Sequence, residues 1–142
     1  MRKKLLVTAS ALAVALAMAS ANADLPAAST KKVDYVTDVK PILKDRCWSC
    51  HGVEKQKGKL RLDGKAEAMK GGESGACIKA GDSAGSTIIQ VVAGTHKDID
   101  RMPPKDPALT AEQIGILRAW IDQGANWPDS EPPAAPAAPA AK

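Results

Sequence analysis

Phenylalanine is absent from the 142 residues and tyrosine occurs once. With three tryptophans, aromatics make up only 3% of the chain, so few large side chains are available to fill an interior. A core of such residues is small, and a bound apolar group would make up part of the deficit. Long alternating apolar–polar runs are missing, and so is an internal repeat, which leaves a mainly α reading. No basic run with interleaved aromatics exists, so the formal charge of +4 gives no support to nucleic-acid binding. Arg2, Lys3 and Lys4 account for three of those four charges, and all three lie in the first residues.

Those first residues, MRKKLLVTASALAVALAMASANA, have the order of an export signal. A positive start is followed by an apolar run from Leu5 to Met18 and by Ala21-Asn22-Ala23, an A-x-A cleavage site. Residues 1–23 therefore read as a secretory signal peptide removed after Ala23, and the mature protein as periplasmic or otherwise exported. The apolar run is short for a span, so no integral membrane segment is expected in the mature chain. At the other end, DSEPPAAPAAPAAK is Pro/Ala low complexity. Residues 129–142 are expected to form a disordered tail, and residues 24–33 a flexible lead-in. A single domain over 34–128 remains.

Within it, Val36, Val39, Ile42 and Leu43 have helical spacing, and Pro41 makes the helix begin near Lys40 or kink there. Leu60 and Leu62 alternate over too short a run for a strand. GKAEAMKGGESG predicts a turn or two of helix stopped by Gly71 and Gly72. DSAGSTIIQVV predicts a short helix with Ile88, Ile89 and Val92 facing inward, and GTHKDIDRMPPKDP a loop. The clearest element is LTAEQIGILRAWIDQGA. Thr110 and Gln113 have capping-box spacing, Leu109 and Ile114 that of a hydrophobic staple, and Gly124 supplies the stop. Ile114, Leu117 and Ile121 form its apolar face, with Trp120 beside it.

The chemistry lies in Cys47-Trp48-Ser49-Cys50-His51. A redox dithiol of this spacing expects a preceding strand in a βαβ unit, whereas a helical segment precedes it here. A zinc site needs four ligands, and beyond these three only Cys77 and His96 remain, neither of them paired. A structural disulfide gives no reason for His51. Covalent haem needs all three residues, two thiols to add across the vinyl groups and an adjacent histidine to ligate the iron. Attachment of such haem outside the cytoplasm also agrees with the export signal. Cys47, Cys50 and His51 are therefore read as a haem c attachment site.

A second axial ligand is expected far downstream. Met69 lies in a predicted helix, where methionine usually fills core space. Met102 stands in RMPP, whose two prolines stiffen the loop. Met102 is the choice and His96 the runner-up, the latter reading better as a solvated residue beside Lys97 and Asp98. Cys77, outside the motif and next to Ile78, reads as a buried inert thiol.

The chain resembles the planctomycete-type cytochrome c domain. The resemblance rests on VKPILKDRCWSCHG, KGKLRLDGKAEAMKGGESG, AGDSAGSTI, DRMPP and LTAEQIGILRAWIDQGANWP, which span about residues 34–128 in family order. It implies a small helical cytochrome c fold wrapped around one covalent haem at Cys47 and Cys50, with His51 and Met102 as axial ligands. The expected function is a monohaem carrier of one electron between redox partner proteins, not an enzyme, although it could serve as a subunit of one. Trp48 is expected near the attachment edge, and Arg61 and Arg101 are candidate partners for the haem propionates. The alternative is an open distal site, giving a gas sensor or a peroxidase-like subunit. No acid–base pair near Met102 supports peroxide chemistry, Asp98 and Asp100 being unpaired in sequence.

Overall fold

The computed structural model describes residues 24–135. The signal-peptide expectation and the last seven residues of the expected tail lie outside them. Among the described residues the regular structure is helical: α1 (Lys40–Arg46), α2 (Lys65–Lys70), α3 (Thr87–Ala93) and α4 (Ala111–Asp122), with a 3-10 turn at Lys57–Lys59. The mainly α expectation is met. Leu60 and Leu62 join no strand, and the β pairing consists of two isolated bridges, His51–Gln56 and Gly72–Gly75.

The approach to α1 differs from the expected α-helical register. Tyr35–Val39 is a π-helical segment, capped by the Asp34 side chain, which accepts from Thr37 N. The Lys40 N–H reaches back five residues to the Tyr35 carbonyl. The wider turn changes which residues face inward. Tyr35 and Val39 are buried, while Val36, expected on the apolar face, is 40% exposed. Pro41 falls in the first turn of α1, where its missing N–H leaves no helical bond unmade.

Three of the four described aromatics gather in one cluster. Tyr35 stacks on Trp127 with centroids 4.1 Å apart, and Trp120 packs against both, 5.8 Å from Tyr35 and 6.1 Å from Trp127. This knot joins the entry to α1, α4 and the segment after it. Ile88, Ile89 and Val92 of α3 are buried as expected, and Val91 with them. On α4 both halves of the capping box form: Gln113 N donates to Thr110 Oγ1 at 3.1 Å, and Thr110 N to Gln113 Oε1 at 3.0 Å. Gly71 and Gly94, both at positive φ, end α2 and α3.

Residues 24–33, expected to be flexible, lie along α4. Ser29 N donates to the Gly115 carbonyl, Gln123 Nε2 to the Lys31 carbonyl, and buried Arg118 to the Pro26 carbonyl and Ser83 Oγ. Gly115 makes this contact fit, since a Cβ there would sit 2.7 Å from the Ala27 carbonyl oxygen. At an exposed helical site Gly→Ala stabilises by up to about 1 kcal/mol. Gly115→Ala is instead expected to destabilise by about 1–3 kcal/mol, the range for an overpacked site. Denaturant unfolding of the haem-loaded protein checks the sign.

The start of the expected tail also touches the domain. Asp129 pairs with Lys65 and Glu131 with Lys40, and Ala134 N donates to the Asp63 carbonyl at 3.0 Å. No helix among the described residues is long and apolar enough to cross a membrane.

Candidate haem site

The end of α1 delivers Cys47. Its N–H closes the last helical turn on the Leu43 carbonyl, and the chain then coils tightly, with both Cys50 N and His51 N donating to the Cys47 carbonyl at 3.1 and 2.8 Å. Cys47, Cys50 and His51 thus lie on one turn. The sequence beyond folds back on it: Lys57 N donates to the Cys50 carbonyl, Leu62 N to the His51 carbonyl, and Trp48 Nε1 to the Leu62 carbonyl at 2.8 Å. Gly52 belongs to the same tight fold, because a Cβ there would run into the Trp48 carbonyl oxygen.

Cys47 is buried, and burial pushes its thiol up to about 12. Cys50 is half-buried, and neither it nor Cys47 is bridged to another cysteine. Cys77 is buried as expected, its thiol pushed up to about 11 by the same cause, with Sγ 3.9 Å from the Ala68 carbonyl. Among the described residues no three His, Cys, Asp or Glu side chains gather as a metal site.

The two histidines differ in a way the sequence does not reveal. His51 Nδ1 lies 3.0 Å from the Lys57 carbonyl oxygen. A carbonyl only accepts, so Nδ1 carries the hydrogen and the neutral ring keeps its lone pair on Nε2. Burial lowers the His51 pKa and favours that neutral ring, while the carbonyls of Lys57 and Leu60 pull the other way. In His96, Nδ1 accepts from Asp98 N and Ile99 N, each at 3.1 Å. Its lone pair is engaged by backbone, and in the neutral ring the hydrogen sits on Nε2.

Met102 is half-buried against the core, in a loop fixed near both ends. Its N–H donates to the Val91 carbonyl at 3.0 Å, and Arg46, the residue before Cys47, donates through Nη2 to the Pro107 carbonyl. The Met102 loop is thereby tied directly to the end of the helix that presents the cysteines. Met69 is also half-buried against the core, on α2. Arg61 is taken: Nε and Nη2 fork onto buried Asp63 at 2.9 and 3.0 Å. Lys57 and Arg46 had no role assigned from sequence. The first acts through its carbonyl, which no residue type marks, and the second could have been noticed only by its place beside Cys47.

A short helical domain with a turn of two thiols and a lone-pair-bearing imidazole has the features of a small haem protein. A family model described as Planctomycete cytochrome C matches residues 47–106, which supports a planctomycete-type cytochrome c domain in that segment. Such a domain supports a haem protein with a role in electron transfer. The matched segment runs from the first cysteine through the Met102 loop, and α4 follows it. No curated protein and no solved structure matches the chain.

Proposed function

We propose that this is an exported, monohaem c-type cytochrome that carries one electron between redox partner proteins in the periplasm. Its haem is held by thioethers to Cys47 and Cys50, and its iron is ligated by His51 and Met102. The observation that carries the reading is the hydrogen bond from His51 Nδ1 to the Lys57 carbonyl. It fixes the tautomer that a proximal ligand needs, on the same turn as the two thiols. His96, the competing nitrogen ligand, has the opposite tautomer and would have to break two backbone bonds to serve.

When bound, the haem supplies a ferric–ferrous couple, and a methionine ligand favours the ferrous side. The chain's own contribution is to hold the ligands still. The Lys57 carbonyl orients the His51 ring, and the bond from Met102 N to the Val91 carbonyl holds the backbone beside the thioether. The Arg46 tie to Pro107 keeps the two ligand-bearing segments together. Leu43, Leu62 and Cys47, all buried, exclude water around the attachment turn.

The test uses the purified, haem-loaded wild type. Its haem should resist acid–organic extraction, titrate as a single one-electron couple, and bind carbon monoxide poorly in the ferrous state. Ready carbon monoxide binding would turn the reading towards the open-site sensor or peroxidase-like subunit.

A further inference from the structure

Of the four described α-helices, α2 is the least fastened. It has six residues, too few to stand alone in water. No side chain caps its start, Gly64 and Gly71 bound it, and Ala68 is its one buried residue. It makes no extended contact with another described helix. Under it lies Cys77, also buried, with Sγ 3.9 Å from the Ala68 carbonyl oxygen. What reaches α2 from outside is the chain after Trp127. Trp127 is anchored in the aromatic cluster, and Glu131 N turns the chain by donating to the Pro128 carbonyl. Residues 129–134 then cross to the start of α2. Asp129 pairs with Lys65 of α2, Glu131 pairs with Lys40 of α1, and Ala134 N donates to the Asp63 carbonyl at 3.0 Å. Pro133 comes so near Gly64 that a Cβ there would lie 3.1 Å from the Pro133 Cβ.

Elsewhere the crossing stands off the helix. It leaves a groove of about 420 Å³, lined by Lys65, Glu67 and Met69 on one side and by Asp129, Glu131 and Pro133 on the other. Charge and one backbone bond therefore hold it more than apolar packing does. Lys65 is 43% exposed and Asp129 91%, so salt reaches that pair directly. We propose that residues 129–134 are a salt-sensitive clasp: closed, it holds α2 over Cys77, and released, it lets α2 lift as a unit between its two glycines. Exposed ion pairs are weak one by one, so the clasp opens far more often than the core does. Opening bares Met69 and Cys77 together, and ionic strength controls it. The haem reading enters only the test, where thioethers at Cys47 and Cys50 leave Cys77 as the single free thiol.

The test follows the reaction of Cys77 with 4,4′-dithiodipyridine, an uncharged thiol reagent, in the haem-loaded full chain. The wild-type rate should rise between about 0.01 M and about 1 M sodium chloride, as the screening length falls from about 30 Å to about 3 Å. Asp129→Asn with Glu131→Gln should raise the low-salt rate about two- to thirtyfold, as the loss of two exposed pairs implies, and remove most of the salt dependence. Ala134→Pro deletes only the backbone donor, so it should raise the rate about two- to tenfold and keep the salt dependence. Lys97→Gln, which breaks a remote exposed pair with Asp98, should do neither. Hydrogen exchange at the Ala68 and Gly71 amides, bonded to the Gly64 and Glu67 carbonyls, should quicken in step with the thiol, while α4 amides keep their protection. A salt-independent wild-type rate, or a double variant that reacts like the wild type, overturns the clasp. Equal quickening in α2 and α4 also overturns it, since the thiol then reports global unfolding. Three reacting thiols per chain would defeat the haem reading instead, and the exchange comparison, which needs no haem, then decides the clasp.

Discussion

Cys47→Ala combined with Cys50→Ala is expected to abolish the haem stain after denaturing electrophoresis, while the wild type keeps it. Each thioether is a covalent bond from Sγ to a former vinyl carbon, and only such bonds survive denaturation with acid and organic solvent. With both thiols gone, His51 and a distal ligand hold the group by coordination alone, which protonation of the imidazole in acid removes. The two sites are unequal in the folded chain. Cys47 is buried and its thiol is held protonated, with a pKa near 12, whereas Cys50 is half-buried. Either single variant should therefore keep a haem on one bond, with Cys47→Ala also losing packing at the end of α1. A double variant that still stains, or a wild type whose haem extracts freely, removes the c-type assignment.

Local rules were the most legible part of this chain. The α4 start was readable because Thr110 and Gln113 satisfy each other within one turn and require nothing from the rest of the fold. The stops at Gly71 and Gly94 depend on the same kind of local freedom at positive φ. α1 begins at Lys40, as Pro41 implied, but helical spacing gave no sign of the π segment before it, which moves Tyr35 inward to meet Trp127 while Val36 turns out. That choice is made by the aromatic cluster, whose members are about ninety residues apart in sequence, beyond any window of periodicity. The Lys65–Asp129 and Lys40–Glu131 pairs are equally remote, so the Pro/Ala stretch gave no sign that its first residues lie on the domain.

At the proposed site, residue types were enough to single out the thiols and the histidine, because haem attachment admits few substitutes. What holds the region is backbone: the Lys57 carbonyl meets the His51 ring, the Val91 carbonyl accepts from Met102 N, and the Pro107 carbonyl accepts from Arg46. Carbonyls occur at every residue and leave no mark in composition. The pairing of Arg61 with Asp63 is a different case. Residues two apart on extended backbone point to the same side, so Arg61-Leu62-Asp63 could have been read as a fork on itself rather than as a free cation.

Met102→Ala should produce the second large effect, on the iron's open coordination. Its loop is held from both sides, by the bond from Met102 N to the Val91 carbonyl and by Arg46 on the Pro107 carbonyl, and neither tie involves the thioether. Removing the side chain should therefore leave the loop in place and open one axial position. External ligands should then enter, so cyanide and carbon monoxide binding should become fast where the wild type binds poorly. The potential should fall, since ferrous iron loses its soft sulfur partner, within the range of about 0.8 V over which axial ligands move haem potentials. Met69→Ala should change neither property, because a half-buried α2 methionine packed on the core acts as filler. His96→Ala should also change neither, its Nδ1 being bonded to the backbone of Asp98 and Ile99. The deciding measurement is the ferric near-infrared charge-transfer band, which reports sulfur ligation, taken on the wild type and all three variants. Loss of the band in Met102→Ala alone is the expected result. Its survival there, with loss in Met69→Ala, transfers the ligand to α2. A wild type that lacks the band and binds carbon monoxide readily would have an open distal site and be no simple carrier.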